Sequence, residues 1–402
     1  KAARAGDRQA LVRFRSHPTL AEAQYLIARE LRFANWSALK HHIEAMTREN
    51  AALHIGEIEQ SSASAIDSDM RTLHVRCGSA IREPPHIAGF HGDFYEHSYL
   101  YLIGPVREGP GCLEQRARFL VASYATAFEP PLRYEGALKS LERDEELLNG
   151  STSYDRVVIW SERDCYDQLV LIRLLAHYAT HARPNRLELI NVGEFPGAVR
   201  FLGIGQLPPE ALRLLWAGRT LTTPATLMLG LDAWRALADP DPSALVAIMR
   251  TGTPDLPLLA PALHRHLREL PSCANGLSFT EEMALQVLYE ADASLSQLFA
   301  RQVFELDPLP GQGDLNVRNR VLDMERATQR VFERRIDPGP DGEARSPWTD
   351  ILTITDLGRD VLRGDVDFRS LNPPQRWVGA VDIGTGATDW RWDETRKKAI
   401  RF

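Results

Sequence analysis

The sequence predicts an α/β protein: a parallel α/β N-terminal domain followed by an all-α region that ends in a winged-helix-like unit. Three observations carry this. The short apolar runs LHVRC (73–77), RVVIW (156–160) and RLELINV (186–192) lack polar alternation and are separated by segments with helical spacing. Strands of that kind form a parallel sheet covered on both faces. From 205 to 300 strand signals nearly vanish, and helical segments broken by Pro or Gly follow one another. At 402 residues the chain exceeds one ordinary core, so two or three domains are expected.

In chain order, residues 1–50 read as a helical appendage. Leu20, Ala23, Ile27 and Leu31, then Trp36, Leu39 and Ile43, recur at helical spacing, with Asn35 or Ser37 able to cap the second helix. A polar linker covers 51–71, and the α/β domain spans 72–203. Besides the three runs above, YLYLI (99–103) reads as a strand, and 113–128 and 167–182 as helices. A helical region follows over 204–275, and the winged-helix-like region over 276–402. The second begins with Ser278 as N-cap and Glu281 three residues later, a capping box. A helix over 314–336, a Pro/Gly/Asp loop, and a strand running into a short helix over 350–368 give the order of a winged helix. The tail carrying Trp377, Trp390 and Trp392 adds a final hairpin.

Composition narrows the chemistry. The net charge is −7, against a nucleic-acid-coating surface. Lysine occurs only at Lys1, Lys40, Lys139, Lys397 and Lys398, which leaves 42 of the 47 basic residues as arginine. The stretch from 140 to 396 therefore excludes Walker-type phosphate loops, Schiff-base nucleophiles and pyridoxal attachment. Cys77, Cys112, Cys165 and Cys273 form no CxxC pair, which reads as reduced, intracellular cysteine. No apolar run reaches the ~18 residues of a membrane span and no leader opens the chain, so no membrane and a cytoplasmic address are expected. Starting at Lys1, the chain reads as truncated or processed at that end.

The segment VVIWSERDCYDQLVLIRLLAHY (157–178) concentrates the candidate chemistry. It runs from a buried strand straight into a helix, so Glu162, Asp164, Asp167 and Gln168, with Trp160 and Tyr166 alongside, gather where open α/β sheets bind ligands. Carboxylates there coordinate a cation, orient a hydroxyl or act as general acid or base. The simpler alternative is that Asp164 or Asp167 only caps the helix. Gly78 and Ser79, after the first strand, complete the expected ligand contacts. Glu162, Asp164 and Asp167 are the candidate catalytic groups.

The segments VVIWSERDCYDQLVLIRLL, GIGQLPPEALRLLWAGR, AWRALADPDPSAL, LPLLAPALHRHLRELPSCANGLSFTEEMAL, LTITDLGRDVL and RWVGAVDI…WRWD, in that order from about 72 to 393, resemble the domain-of-unknown-function 1835 family. The resemblance implies an α/β N-terminal domain and a helical C-terminal region, and no particular reaction. In HVRCGSA (74–80), His74 and Gly78 match the family pattern, while Ser79 stands where the family has Asp. In GDFYEHSYLYLIGPV (92–106), Gly92, Asp93, Gly104, Pro105 and Val106 match, while Tyr99 replaces a second Asp. Arg163 stands where histidine is common. On this ground His74 and Asp93 join the ligand-binding set, and the two lost acids allow a third reading, a catalytically dead scaffold. Residues 17–45 resemble a helical element found beside ankyrin-type arrays in bacterial proteins.

Other signals are weaker. His86, His91, Asp93, Glu96 and His97 lie close together, but their spacing fits no recognised site, so no metal is assigned and the cofactor stays unknown. GxGxxG is absent. Cys77 or Ser79 as nucleophile lacks a base, and His264 and His266 lie on different helix faces. Arg318, Arg320, Arg326, Arg330, Arg334 and Arg335 can meet phosphates, with 326, 330 and 334 on one helical face. Residues 310–345, however, hold seven arginines and seven acids. The preferred reading is a small-molecule or nucleotide-type ligand at the carboxyl edge of the sheet, with transferase or hydrolase chemistry if catalysis follows. The alternative is a ligand-sensing regulator or scaffold whose C-terminal unit binds DNA, the less favoured partner, or a protein. The sequence does not set the oligomeric state.

Overall fold

The computed structural model describes residues 65–77, 89–97, 99–125, 130–196, 200–207, 209–336, 347–384 and 389–402. The appendage expected at 1–50, most of the linker, and Gly78, Ser79 and His86 lie outside the described residues.

The sheet forms from the runs that are apolar on both sides. Strands β1 (Thr72–Arg76), β2 (Asp93–Glu96), β3 (Arg156–Glu162) and β4 (Arg186–Val192) are parallel, and a two-residue β5 (Thr220–Leu221) closes one edge antiparallel, in the order β2-β1-β3-β4-β5. Every residue of β1 and β3 is buried. Leu73, Val75, Val157, Ile159, Leu187 and Leu189 face one core, while Val158, Trp160, Ile190 and Val192 face a second core with Phe90, Phe201, Ile204, Leu212 and Trp216. Two buried faces explain the lack of polar alternation. From β1 the chain goes to β2 on one side and later to β3 on the other, which makes the carboxyl ends of β1 and β3 a topological switch point.

Helices α1 (Cys112–Tyr124), α2 (Tyr134–Gly150) and α3 (Cys165–Thr180) cover the first face, and α4 (Pro209–Ala217) lies over the second. Helix α5 (Pro224–Leu237), opened by a Thr223–Thr226 capping box, packs on α3. At their contact a Cβ on Gly230 would lie 2.4 Å from Leu175 Cβ, so only glycine allows that approach. The sheet thus takes a strand, and its helical layer a helix, from beyond residue 203. Helices α6 (Ser243–Thr251) and α7 (Leu259–Leu267) extend the same core, which runs from Leu73 to Ala399.

The run expected as a strand at 99–103 is not one. Tyr101 N bonds Tyr99 O and Ile103 N bonds Leu100 O, forming turns that end at Gly104 with φ +73°. The run is apolar because Tyr99, stacked on both His97 and Tyr101, packs into the core under the helices.

The C-terminal region has its own core around Leu285, Leu288, Val321, Phe332 and Leu352. Its elements are α8 (Phe279–Glu290), β6 (Ala293–Ser294), α9 (Leu295–Arg301) with a π-turn at Gln302–Leu306, α10 (Asp314–Met324), β7 (Phe332–Arg335), β8 (Ile351–Ile354) and α11 (Asp356–Arg363). The three strands pair antiparallel as β6-β8-β7. The Ser278–Glu281 capping box opens α8 as expected. The helix expected over 314–336 stops at Met324: turns at Glu325, Arg326 and Ala327 follow it, and Phe332–Arg335 then pair with β8 as a strand. Arg326, Arg330 and Arg334 therefore share no helical face; they pair with Asp323, Glu333 and Glu325. Two short hairpins replace the single one expected at the end: β9 (Arg376–Val378) with β10 (Val381–Ile383), and β11 (Trp390–Asp393) with β12 (Lys398–Arg401). On α7, His266 is buried while His264 meets Glu394 at 3.0 Å, the two different faces the sequence implies.

One buried ion network joins the two cores. Arg265 of α7 donates from Nε and Nη2 to Asp307 at 2.9–3.0 Å and from Nη1 to Glu269 at 2.6 Å, while the Thr280 hydroxyl donates to the same Glu269 oxygen. Replacing Arg265 by alanine leaves two carboxylates buried without a counter-charge. We expect a loss of about 3–5 kcal/mol in urea unfolding; a loss under about 1 kcal/mol would contradict this role.

Candidate functional site at the carboxyl edge of the sheet

Only two residues separate the end of β3 from the start of helix α3, and this short connection fixes the site. Asp164 is the N-cap, its Oδ1 accepting from Asp167 N at 2.9 Å. Asp167 in turn folds back, its Oδ1 accepting from Glu162 N at 3.0 Å. Gln168, one position on, donates from Nε2 to Ser161 Oγ at 3.1 Å and to Asn191 Oδ1 at 2.8 Å, clamping α3 to the ends of β3 and β4. Capping, held open as the simpler alternative, is therefore a real task of Asp164, which accepts from the amides of Asp167 and Tyr166.

Arg76, the last residue of β1, lies on the same sheet face and donates from Nη2 to Glu162 Oε1. Glu162 Oε1 also accepts from Ile204 N at 2.8 Å. Two glycines let backbone close over the acids. A Cβ on Gly203 would lie 2.1 Å from Glu162 Oε2, and one on Gly311 would lie 2.9 Å from Asp164 Oδ1. The cover over the α3 N-terminus thus comes from the 200–207 segment and from the loop preceding α10.

The charge here is unbalanced. Glu162, Asp164 and Asp167 are all buried, and one oxygen of each lies within 4.8 Å of the others. Among the described residues, Arg76 is the one cation bonded to them, and its Nε and Nη1 are buried with no partner. Burial, and then repulsion from Glu162, push the Asp164 carboxyl up to about 7. Burial and the charges of Asp164 and Glu162 raise Asp167 in the same direction. Burial works against the Arg76 charge, yet Asp167 and Glu162 outweigh it and raise its pKa. Burial, then Asp167 and Asp164, push the Cys77 thiol up, so it is no ready nucleophile. Chemically, the three acids offer oxygen ligands to a hard divalent cation, and Arg76 offers donors to an anion. The sequence assigned no metal; the folded geometry supplies a set of ligands for one.

The expected site residues divide into three groups. Glu162, Asp164, Asp167 and Gln168 come together. His74 and Trp160 sit one pleat below Arg76 and Glu162 and form a floor. There His74 Nε2 meets Asp67 Oδ2 at 2.9 Å, and Trp160 Nε1 donates to His74 Nδ1 at 3.1 Å, so Nε2 carries the imidazole proton. Phe90 and Trp216 pack around the imidazole. Asp67 also accepts from His91 N and Gly92 N; burial alone would raise its pKa, but these bonds hold it well below the usual carboxylate range. Asp93 is not brought to the site. It is exposed at the amino end of β2, at the opposite edge of the sheet, where it accepts from the Tyr154 hydroxyl at 2.7 Å. His91, Asp93 and His97 do not converge on a metal either, since His97 is buried between Tyr95 and Tyr101. Residues that sequence reasoning missed are Arg76, Gly203 and Gly311. Only Arg76 carried a local signal, as the one charged residue inside the run LHVRC.

A carboxyl raised in the folded state favours its protonated form, so its contribution to stability is complete below about pH 4 and is lost as pH rises toward 7. Asparagine keeps the N-cap without the charge. We therefore expect Asp164→Asn to match wild type near pH 4 and to be more stable by about 2–4 kcal/mol at pH 8, measured by urea unfolding. A gain over wild type no larger at pH 8 than at pH 4 would contradict the buried-charge assignment.

No protein-family model matches the chain, and no curated protein matches it significantly.

Proposed function

We propose that this protein binds a small, anionic, nucleotide-type ligand at the carboxyl edge of its sheet, as a cytoplasmic protein whose four cysteines stay free. The observation that carries the reading is the imbalance at the switch point. Three buried carboxylates and the unpartnered donors of Arg76 occupy the place where open α/β folds hold ligands. A divalent cation, when bound, would sit on Glu162, Asp164 and Asp167 and let a phosphate approach them. Arg76 would then give Nε and Nη1 to the phosphate, as expected in a stretch where lysine is missing.

For transfer or hydrolysis without a bound cation, Asp164 is the acid–base group. Its carboxyl is poised at about 7, whereas Glu162 is committed to Arg76 and Ile204. Gln168 and Asp167 position it. The resemblance to the domain-of-unknown-function 1835 family remains part of this proposal.

A second reading rests on the C-terminal unit. Its order of helix, strand, two helices and two strands, with strands paired β6-β8-β7, supports the reading of a winged helix, a unit that serves DNA binding or packing. Packing is favoured, because α10, the helix that would enter a groove, is docked on α1. Tyr124 Oη donates to Asn316 Oδ1 at 2.6 Å, and Asn319 Nδ2 donates to Ser123 O at 3.2 Å.

One titration separates the readings. Nucleoside mono-, di- and triphosphates with Mg²⁺, and a duplex DNA, are added to the full chain and followed by calorimetry. We expect at least one nucleotide to bind, and Asp164→Asn/Gln168→Ala to weaken it by tenfold or more, about 1.4 kcal/mol. Nucleotide binding unchanged in that variant, or no nucleotide bound, overturns the site. Salt-dependent binding of the duplex alone would favour the regulator.

A further inference from the structure

A second site lies on the helical face of the sheet, separate from the carboxylates. It is a cavity of about 350 Å³, within the size range of small-molecule pockets. Tyr99, Tyr101, Val106 and Trp234 form apolar walls, and Arg116, Arg173 and His177 supply the polar groups. Its floor is buried, while Glu108, Thr180, His181 and Arg235 at the rim are exposed, so it opens to solvent on one side.

Arg116 is the group that calls for explanation. It is 6% exposed, yet among the described residues no carboxylate pairs with it. Its Nη1 and Nη2 donate to the carbonyls of Ile103 and Leu100, and Nε has no partner. Gly104 makes room for this arrangement: with φ +73°, its backbone passes so close that a Cβ would lie 2.6 Å from Arg116 Nη1. Carbonyl oxygens satisfy the hydrogens of a guanidinium but do not neutralise it, and a lone buried charge is costly. Arg173 adds a second cation. It spends Nη2 on Glu145, at 2.6 and 2.7 Å to the two oxygens, and its guanidinium lies 5.5 Å from the Trp234 ring. Counting Arg107, Arg116, Arg173 and Arg235 against Glu108 and Glu145, the lining carries two net positive charges in a protein of net charge −7.

His177 sets the third point. It is buried, its ring bonds the Leu148 backbone, and Nε2 has no partner. Since that bond is to a carbonyl and involves Nδ1, the proton sits on Nδ1, and Nε2 is left as a hydrogen-bond acceptor. Burial, then the charge of Arg173, lower its pKa to about 4, so the imidazole is neutral at physiological pH.

We propose that this cavity binds a small aromatic carboxylate bearing a hydroxyl or amine donor. The carboxylate meets Arg116 and Arg173, the ring lies among Tyr99, Tyr101 and Trp234, and the donor reaches His177 Nε2. The charge demands an anion, the aromatic walls favour a flat ring, and the unpartnered acceptor favours a donor on it.

The test is calorimetric titration of the full chain with 4-hydroxybenzoate, benzoate and 4-hydroxybenzamide as probes. The expected result is one 4-hydroxybenzoate per chain, with the amide at least about tenfold weaker and benzoate in between. Arg116→Gln should weaken the acid and not the amide. Because that variant also alters bonds to Leu100 and Ile103, Thr180→Trp serves as the second variant: it obstructs the mouth from an exposed position and should weaken all three probes. No binding of 4-hydroxybenzoate, equal affinity for acid and amide, or full affinity in Thr180→Trp would each overturn the proposal.

Discussion

Three carboxylates share one guanidinium where water hardly reaches, and much of the molecule is arranged around that fact. Glu162, Asp164 and Asp167 hold the end of β3, the start of α3 and the 203–204 backbone together through their own hydrogen bonds. The loop at Gly311 brings the C-terminal region over the same point. Their mutual repulsion is the cost of this knot. It is relieved either by a proton, which is why Asp164 and Asp167 are driven upward, or by a bound cation.

The same physical theme explains why the buried basic positions hold arginine and not lysine. Arg76, Arg116, Arg156, Arg265, Arg376 and Arg391 are all buried. A guanidinium stays charged and reaches several acceptors at once, whereas a buried ammonium readily gives up its proton. Arg265 joins two cores through Asp307 and Glu269, and Arg156 reaches Thr72, Asp67 and Asp69 from the far end of the sheet. Arg116 departs from the pattern, since its acceptors are backbone carbonyls and not carboxylates. That departure singles out its cavity.

Strands β3 and β4 and helix α3 were legible because burial on both sides leaves uninterrupted apolar runs, and Ser278–Glu281 because a capping box is local. Glu162, Asp164 and Asp167 could be grouped because they are near neighbours in sequence. What escaped was long-range or ambiguous. Arg76 lies 86 residues from Glu162, and Gly203 and Gly311 reach the site only through folding. Tyr99–Ile103 reads as a strand because an apolar turn under a helical layer has the same composition as one. The helix expected over 314–336 was extended too far because arginines at i, i+4 and i+8 mimic a helical face, while the pairing of Phe332–Arg335 with β8 shows only in the fold. Helix α2 gave little signal, since only Ala137, Leu141 and Leu148 are buried along its length. Asp93 illustrates a further limit: matching a motif does not say at which end of a strand the residue will lie.

The most direct measurement is a carbon-13 NMR titration of the side-chain carboxyl carbons, with Asp164 assigned through the Asp164→Asn variant. The account predicts that Asp164 titrates near pH 7 in the ligand-free protein and moves downward when a divalent cation is added. A normal titration near pH 4, unchanged by cation, would contradict it.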